Sequence, residues 1–243
     1  MRLQTMAFTL HSMLLVHGLV TPFYVTYQKR NVPLSSVICS MALNPNNQNG
    51  SAPAGAPQVV LRNATLDDLE LLQQWDRKDH IIASMGDDDF NDWNWEYELP
   101  RKDVSWRYQL IACAVEKAAE TTTTTSIGFI QIIDAAQEES HYWGPDCLSN
   151  LRALDIWIGD ERYLNRGYGT AMMKAALKHY CFDDDPSVEA ALVDPMADNR
   201  AAHRFYQRLG FQPQGIRYFG PDKCLVHRLN RSDWLKQQAQ EYK

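Results

Sequence analysis

A short run of small residues between an apolar strand and a helix constrains the fold of this chain more than any other feature. Residues 154–158 are mostly apolar, residues 165–170 contain Gly167 and Gly169, and an apolar-faced helix follows. The first backbone N–H groups of a helix have no intrahelical partners, and the helix dipole favours an anion beside them. The pattern therefore predicts a strand, a loop able to cradle a phosphate, and a helix.

A second motif lies one helix and one strand further along the chain. It reads N-x-x-A-x-x-F-Y-x-x-x-G-F from Asn199 to Phe211. The two motifs, in this order, resemble the acetyl-CoA-binding half of the GNAT superfamily of N-acetyltransferases, and the resemblance extends over residues 59–234. The family's loop usually begins with Gln or Arg three residues before the first Gly, where this chain has Leu164. Leu164, together with Asp155, resembles the bacterial aminoglycoside 6'-N-acetyltransferase branch.

The resemblance implies an α/β (α+β) fold of the GNAT acyl-CoA N-acyltransferase type. Its sheet would be mixed, with six or seven strands flanked by helices, and its two central parallel strands would splay apart. Apolar periodicity agrees, and the polar Thr run at residues 121–125 is interpreted as a hairpin connection. Strands are predicted at residues 59–62, 108–115, 126–133, 152–158, 187–193, 215–218 and 224–229, with helices after Thr65, over 169–180 and after Asn199.

Acetyl-CoA is the co-substrate that the resemblance implies, and no metal is implied. Its pantetheine arm would pair with the freed backbone edge of the strand at 152–158, as an added strand would. Its phosphates would lie against the loop, where Arg162 and Arg200 could add positive charge. The cofactor-binding residues expected in this way are Ile156, Trp157, Ile158, Leu164, Asn165, Arg166, Gly167, Tyr168, Gly169, Thr170, Asn199, Ala202 and Tyr206.

The implied reaction requires an acid and a base. A primary amine is protonated near neutral pH and must lose a proton before it attacks a thioester. Asp155 is the first candidate for the general base, and Asp194, at the end of the next parallel strand, is the second. Tyr206, on the helix that lines the sulfur end of the coenzyme in the family, is the candidate general acid. Asp155 also has a structural interpretation as a strand-end turn cap, and Tyr206 has one as core packing.

Acids and aromatic residues are concentrated where an acceptor would bind. Residues 86–97 mix both types, and they either line a cavity for a polycation or form an acidic loop with packed rings. The acid nearest to the family's position after the third strand is Glu139, displaced by one residue. The expected acceptor-binding residues are Gln131, Glu139, Tyr142, Trp143, Asp155 and Asp194.

Charge and composition narrow the partners. Residues 1–57 carry three positive and no negative charges, so the net charge of −6 leaves −9 on the rest of the chain. Such an acidic domain argues against nucleic acid as a partner and is compatible with a small cationic amine. Residues 6–27 are too interrupted by polar residues for a membrane span, so no stable membrane association is expected. The five dispersed cysteines indicate reduced thiols and a cytoplasmic location.

The domain plan has three parts. Residues 1–57 are expected to be a disordered extension and flexible linker, residues 58–236 the N-acetyltransferase domain, and residues 237–243 a tail. The leading hypothesis is direct, acetyl-CoA-dependent acetylation of a small cationic amine by a monomer or homodimer, as in aminoglycoside resistance. A siderophore-type hydroxylamine acyltransferase and a protein N-terminal acetyltransferase are the alternatives within the family. A non-enzymatic acyl-CoA sensor or interaction module is the alternative outside it.

Overall fold

A computed structural model of the protein describes residues 56–84, 94–101, 104–118, 121–138, 140–147 and 150–241. Nearly all of the expected extension, residues 1–57, lies outside the described residues. The described part forms a seven-stranded mixed sheet, with apolar clusters and helices on both faces. This arrangement confirms the predicted fold class. None of the described helices has the length and hydropathy needed to cross a membrane.

Polar side chains fix the boundary between the first strand and the first helices. Thr65 N donates to Asp68 Oδ2 at 2.9 Å, closing the N-terminal end of the helical segment. The two carboxylate oxygens of Asp68 also accept from Arg62 at 2.7 and 2.6 Å. The elements of this half are β1 (Val59–Asn63), a 3₁₀ turn (Leu66–Asp68), α1 (Leu69–Asp76), α2 (Asp79–Ile82), α3 (Trp95–Glu98), β2 (Arg107–Ala118) and β3 (Thr121–Asp134).

The second half alternates strands with helices. Asn199 Oδ1 accepts from Ala202 N at 3.0 Å, which confirms the predicted N-cap of the helix that follows. The elements are β4 (Leu151–Ile158), a 3₁₀ turn (Glu161–Tyr163), α4 (Tyr168–Ala176) continued by a π-helical segment (Leu177–Phe182), β5 (Ala190–Val193), α5 (Arg200–Arg208), β6 (Gln212–Phe219), β7 (Asp222–Asn230) and α6 (Arg231–Glu241).

The strand order is β1-β2-β3-β4-β5-β7-β6, and β4 and β5 are the parallel pair at its centre. Their pairing is short, since residues 151–153 of β4 meet residues 190–192 of β5 and the two strands then part. β4 continues for five more residues, to Ile158, with β3 on its other side. The predicted splay of the central parallel strands is therefore confirmed, and it leaves one edge of β4 open.

Three expected boundaries differ from the structure. Thr121 and Thr125 lie within β3, opposite Ala118 and Ala114 of β2, and are not part of a connection. Threonine is β-branched and pairs well on an exposed sheet, so the cross-strand register outweighs the low complexity of the run. Strand β5 begins at Ala190 and not at residue 187. The expected domain end at residue 236 falls inside α6.

Side chains of β4 alternate between the two faces of the sheet, as they do in any strand. Leu154 and Ile156 pack into the core that α4 and α5 cover. Ala153 and Trp157 pack into the apolar clusters of the opposite face, the face of α1 and α3. Asp155 lies between Ala153 and Trp157 in this alternation, so the first-choice catalytic residue projects to the side of α1 and α3.

Candidate active site

The open edge of β4 presents backbone groups from alternate residues. Gly159 N donates to Ile127 O at 2.9 Å and Ala135 N to Leu151 O at 3.1 Å, so the peptide groups of odd-numbered residues of β4 face β3. The N–H and C=O groups of the even-numbered residues, Leu154, Ile156 and Ile158, consequently face the open edge.

This parity changes the expected contacts of the strand. Trp157, which the sequence offered as a backbone partner of the coenzyme, pairs with Phe129 of β3 instead. Leu154, which was not expected, takes its place at the open edge. Ile156 lies at the open edge, and the carbonyl of Ile158 accepts from His80 Nε2 at 2.7 Å.

The loop between β4 and α4 has the backbone shape of an anion cradle. Asn165 and Gly167 adopt positive φ angles of 57° and 84°, and Gly167 is the N-cap of α4. The first intrahelical hydrogen bond runs from Ala171 N to Gly167 O at 3.1 Å. The N–H groups of the three residues before it, Tyr168, Gly169 and Thr170, therefore have no acceptor within the helix.

Arg162 and Arg166, near the loop, have protein partners. Arg162 forms an ion pair with Asp160, at 2.6 Å, and its side chain is exposed. Arg166 Nη1 donates to the carbonyl of Arg162 at 3.1 Å. Arg200 is exposed in the first turn of α5. The candidate anion site thus consists mainly of backbone N–H groups, and Leu164 adds no charge to it.

Asp155, Asp194 and Tyr206 line one cavity of about 530 Å³ at the point where β4 and β5 part. They come from three elements: β4, the end of β5, and α5. Asn199 and Ala202, at the start of α5, line the same cavity. Three distant segments of the chain therefore meet at this cavity.

Asp155 is an acid with a strongly perturbed environment. Burial, reinforced by the negative charge of Asp194, raises the pKa of Asp155 to about 7, while the hydrogen bond from Gln131 Nε2, at 3.4 Å, opposes the rise. The Asp155 carboxylate still contacts solvent inside the cavity. Its desolvation therefore comes from the surrounding cavity walls, and a bound acceptor would remove the remaining solvent. A carboxylate with a pKa near neutrality suits a general base.

Asp194 and Tyr206 complete the group. Burial raises the pKa of Asp194, although the Tyr142 hydroxyl, which donates to Asp194 Oδ2 at 2.7 Å, acts to lower it. Burial and the charges of Asp155 and Asp194 raise the pKa of Tyr206. Tyr206 therefore keeps its proton at neutral pH and can act as an acid.

An aromatic cluster forms one wall of the cavity beside Asp194. The rings of Tyr142 and Phe219 stack with centroids 4.1 Å apart. Arg217 lies over the Phe219 ring at 4.9 Å and donates to the carbonyl of Trp143 at 3.0 Å. Tyr142 and Trp143, two of the expected acceptor-binding residues, thus line the cavity.

Three cavity acids were not predicted: Glu138, Asp222 and, on the opposite wall, Asp76. Glu138 accepts from Ser140 N and from Tyr142 N, and it fixes the turn that carries the aromatic cluster. Asp222, at the start of β7, also lines the cavity. Glu139, the acid that the resemblance favoured, lies outside the described residues. The position favoured by the family motif therefore points to Glu139, whereas the acid that lines the cavity is its sequence neighbour, Glu138.

The opposite wall comes from the segment before β2. Trp95 Nε1 donates to Asp76 Oδ2 at 2.5 Å, and the Trp95 ring meets the edge of Phe129 at 5.1 Å. Trp95 lines the cavity, whereas Tyr97 is 61% exposed. Residues 86–93 of the predicted acidic and aromatic stretch lie outside the described residues.

The cavity is acidic as a whole. Its ionisable carboxylates outnumber its one described arginine, Arg107, which is itself paired with Glu98 at 2.6 Å. Such a lining favours a cationic ligand. The described carboxylates that line it are Asp76, Glu138, Asp155, Asp194 and Asp222.

A mixed sheet whose central parallel strands splay beside a glycine-capped helix, with two carboxylates and a tyrosine at the gap, is the architecture of an acyl-CoA-dependent acyltransferase. The sequence matches the acetyltransferase (GNAT) domain family over residues 64–219, more than half of the chain. The chain belongs to this family of N-acetyltransferases.

Curated relatives act on different amines. Aminoglycoside N(6')-acetyltransferase type 1 of Klebsiella pneumoniae is 26% identical over 160 residues, covering 65% of this chain and 75% of the relative. The lysine N-acyltransferase MbtK of Mycobacterium tuberculosis is 27% identical over 165 residues, covering 65% and 70%.

Solved structures agree on the fold. The aminoglycoside acetyltransferase AAC(6')-Ib, in complex with coenzyme A and kanamycin, matches with a TM-score of 0.62 and 22% identity, over 74% of this chain and 99% of that one. Its complex with ribostamycin and coenzyme A matches with a TM-score of 0.63 and the same 22% identity, over 74% and 98%.

Proposed function

We propose that the protein transfers the acetyl group of acetyl-CoA to a primary amine of a small polycationic acceptor of the aminoglycoside type. The observation that carries the proposal is the meeting of Asp155, Asp194 and Tyr206 in one acidic cavity where β4 and β5 part. The relatives named for 6'-N-acetylation of aminoglycosides support this acceptor class.

The chain offers the coenzyme two kinds of backbone contact. The open edge at Leu154 and Ile156 carries N–H and C=O groups that suit the amides of a pantetheine arm. The N–H groups at the start of α4 suit a diphosphate. Acetyl-CoA supplies the thioester whose carbonyl carbon is attacked.

The side chains supply the proton transfers. Asp155 takes a proton from the bound ammonium group, directly or through one water, and frees the nitrogen lone pair. As the nitrogen bonds to the acetyl carbon and the carbon–sulfur bond breaks, the leaving thiolate takes the proton of the Tyr206 hydroxyl. The new amide nitrogen then loses its second proton, which returns to the Tyr206 oxygen directly or through water, and Asp155 releases the first proton to solvent. Asp194 holds positive charge of the acceptor beside the base. Asp155 is preferred as the base because its pKa lies near 7.

Acylation of a lysine side chain is the second candidate, because a relative 27% identical to this chain is a lysine N-acyltransferase. A free amino acid brings a carboxylate of its own, which the acidic lining would repel, so an acceptor with several amines and no acid is preferred. A hydroxylamine acceptor, a protein N-terminus and a non-catalytic acyl-CoA sensor remain hypotheses that one assay separates.

The assay follows thiol release from acetyl-CoA by the purified full chain. Kanamycin, ribostamycin, lysine, an alkyl hydroxylamine and a short peptide are the acceptors, and titration calorimetry with CoA is run in parallel. We expect thiol release with the aminoglycosides and an acetylated 6'-amine by NMR. If only lysine, only the hydroxylamine or only the peptide is acetylated, that compound class replaces the aminoglycosides as the proposed acceptor. CoA binding without turnover would support the sensor, and no CoA binding would refute both.

A further inference from the structure

The segment of residues 69–84, which contains α1 and α2, touches the end of β4 at two points. The Trp75 ring packs on Gly159, where any Cβ would overlap it. His80 Nε2 lies 2.7 Å from the carbonyl of Ile158. A carbonyl can only accept, so Nε2 carries the proton of this hydrogen bond. We call residues 69–84 the acceptor-side segment.

The Ile158 carbonyl belongs to the open edge of β4. It faces the same side as the peptide groups of Leu154 and Ile156, two residues beyond Ile156. The chain then enters the 3₁₀ turn and the loop that caps α4, and Glu161 Oε1 of that turn lies 3.4 Å from His80 Nδ1. His80 therefore contacts the strand edge and the entrance to the loop at once.

The other side of the same segment faces the acceptor. Asp76, at the end of α1, and Ser84, just after α2, both line the cavity. Asp76 also accepts the hydrogen bond from Trp95, so the segment helps to hold the aromatic wall. One short stretch of chain thus connects the open edge of β4 with the acceptor side of the cavity.

We propose that His80 is a positioning residue that couples coenzyme binding at the open edge of β4 to the order of the acceptor-side segment. The inference rests on the proposed function to the extent that CoA binds along this edge. A ligand that pairs with Leu154 and Ile156 restricts the strand end at Ile158, and the His80 hydrogen bond transmits that restriction to α2. The acceptor wall is then ordered after the coenzyme binds.

Hydrogen–deuterium exchange of the full chain, with and without CoA, tests this coupling without an acceptor. In the parent, CoA should slow exchange both at residues 164–171 and at residues 69–82. In His80→Phe the slowing at residues 164–171 should persist. At residues 69–82 the factor by which CoA slows exchange should be about fivefold smaller than in the parent. That ratio corresponds to the net stabilisation of about one hydrogen bond. His179→Gln, which changes an exposed histidine on the π-helical segment, is the matched control and should behave as the parent.

The outcomes separate the hypotheses. A purely structural role would speed exchange at residues 69–82 equally with and without CoA, and an unchanged CoA effect in His80→Phe would overturn the coupling. His80→Gln, whose side-chain amide can still donate, should restore part of the effect, and it replaces His80→Phe should that variant fold poorly. Absence of any CoA effect at residues 164–171 of the parent would refute the proposed function first, and this inference with it.

Discussion

The two sides of the cavity are built from different materials. The proposed coenzyme side consists of backbone groups, at the open edge of β4 and the first turn of α4, whose placement depends on strand divergence and on Gly167. The proposed acceptor side consists of side chains from loops and short helices, among them Glu138, Tyr142 and Asp194. A backbone site tolerates change in most neighbouring side chains. The shape and charge of a side-chain site change with each substitution in it. One fold can therefore keep the same coenzyme while its acceptor specificity changes.

The largest difference between the two sides is expected in the activity of an Asp155 variant. Asp155→Asn removes the proton acceptor and should lower kcat/KM about 100- to 1000-fold, because general base catalysis contributes on that scale. Activity of the parent should rise with pH through about 7, where the pKa of Asp155 lies, and the variant should lose this limb. Initial rates between pH 5.5 and 8.5 give both results, and calorimetry should show unchanged CoA affinity.

Asp183→Asn, at an exposed position after the π-helical segment, is the control and should retain parent rates. A loss of CoA affinity in Asp155→Asn comparable to its loss of activity would break the separation of the two sides. If Asp155→Asn retained most of the parent activity, Asp194 would become the preferred candidate for the general base.

The loop before α4 and the cap of α5 could be predicted from the sequence because their requirements are local. Gly167 has a φ of 84°, where residues with a Cβ are strained, so the loop leaves a glycine in the sequence. Asn199 caps α5 through a hydrogen bond to a residue only three positions away. Such requirements fix the residue type and the spacing within a few positions of the chain, so a short sequence motif is enough to predict them.

The acceptor side was harder to predict because its contacts are between distant residues. Glu138 and Asp222 are separated by more than eighty residues of chain, and only the folded sheet brings both to the cavity. The choice between Leu154 and Trp157 at the open edge depended on the register with β3, which no local pattern encodes. The Thr121–Thr125 run shows the same limit, since a partner strand decided its structure.

A smaller effect is expected from Gly167→Ala. A residue with a Cβ at positive φ costs about 1–2 kcal/mol, and here the added carbon would also approach Pro57 Cγ to 3.2 Å. The loop should distort, and the dissociation constant of CoA, measured by calorimetry, should rise about tenfold. Gly215→Ala, at a φ of 134° on β6, imposes similar backbone strain far from the loop and should leave CoA affinity unchanged. Equal losses in both variants would indicate general destabilisation.

A still smaller effect, confined to the acceptor side, is expected from Tyr142→Phe. The substitution keeps the ring stacked on Phe219 and removes only the hydroxyl that donates to Asp194. The pKa of Asp194 should rise further and its hold on a cation should weaken, so the KM for kanamycin should increase about three- to fivefold. The KM for acetyl-CoA should stay constant in the same steady-state assay. A change in the KM for acetyl-CoA alone would contradict the assignment of Tyr142 to the acceptor wall.

The smallest effect concerns stability and separates the two sides in the absence of any ligand. The pKa of Asp155 is raised to about 7 in the fold and lies near 3.9 in an unfolded chain. The native state therefore binds the proton more tightly, and stability falls as pH rises between these values. Asp155→Asn should match the parent near pH 4 and exceed it at pH 8. Because the carboxylate retains solvent contact, the gain should be only about 1 kcal/mol, or roughly 2–4 °C in Tm by thermal unfolding. Gly167→Ala should instead lower Tm equally at both pH values, since no titrating group is involved. A less stable Asp155→Asn at pH 8 would mean that the fold favours the charged carboxylate, and the acceptor side would then lack the poised base that its chemistry requires.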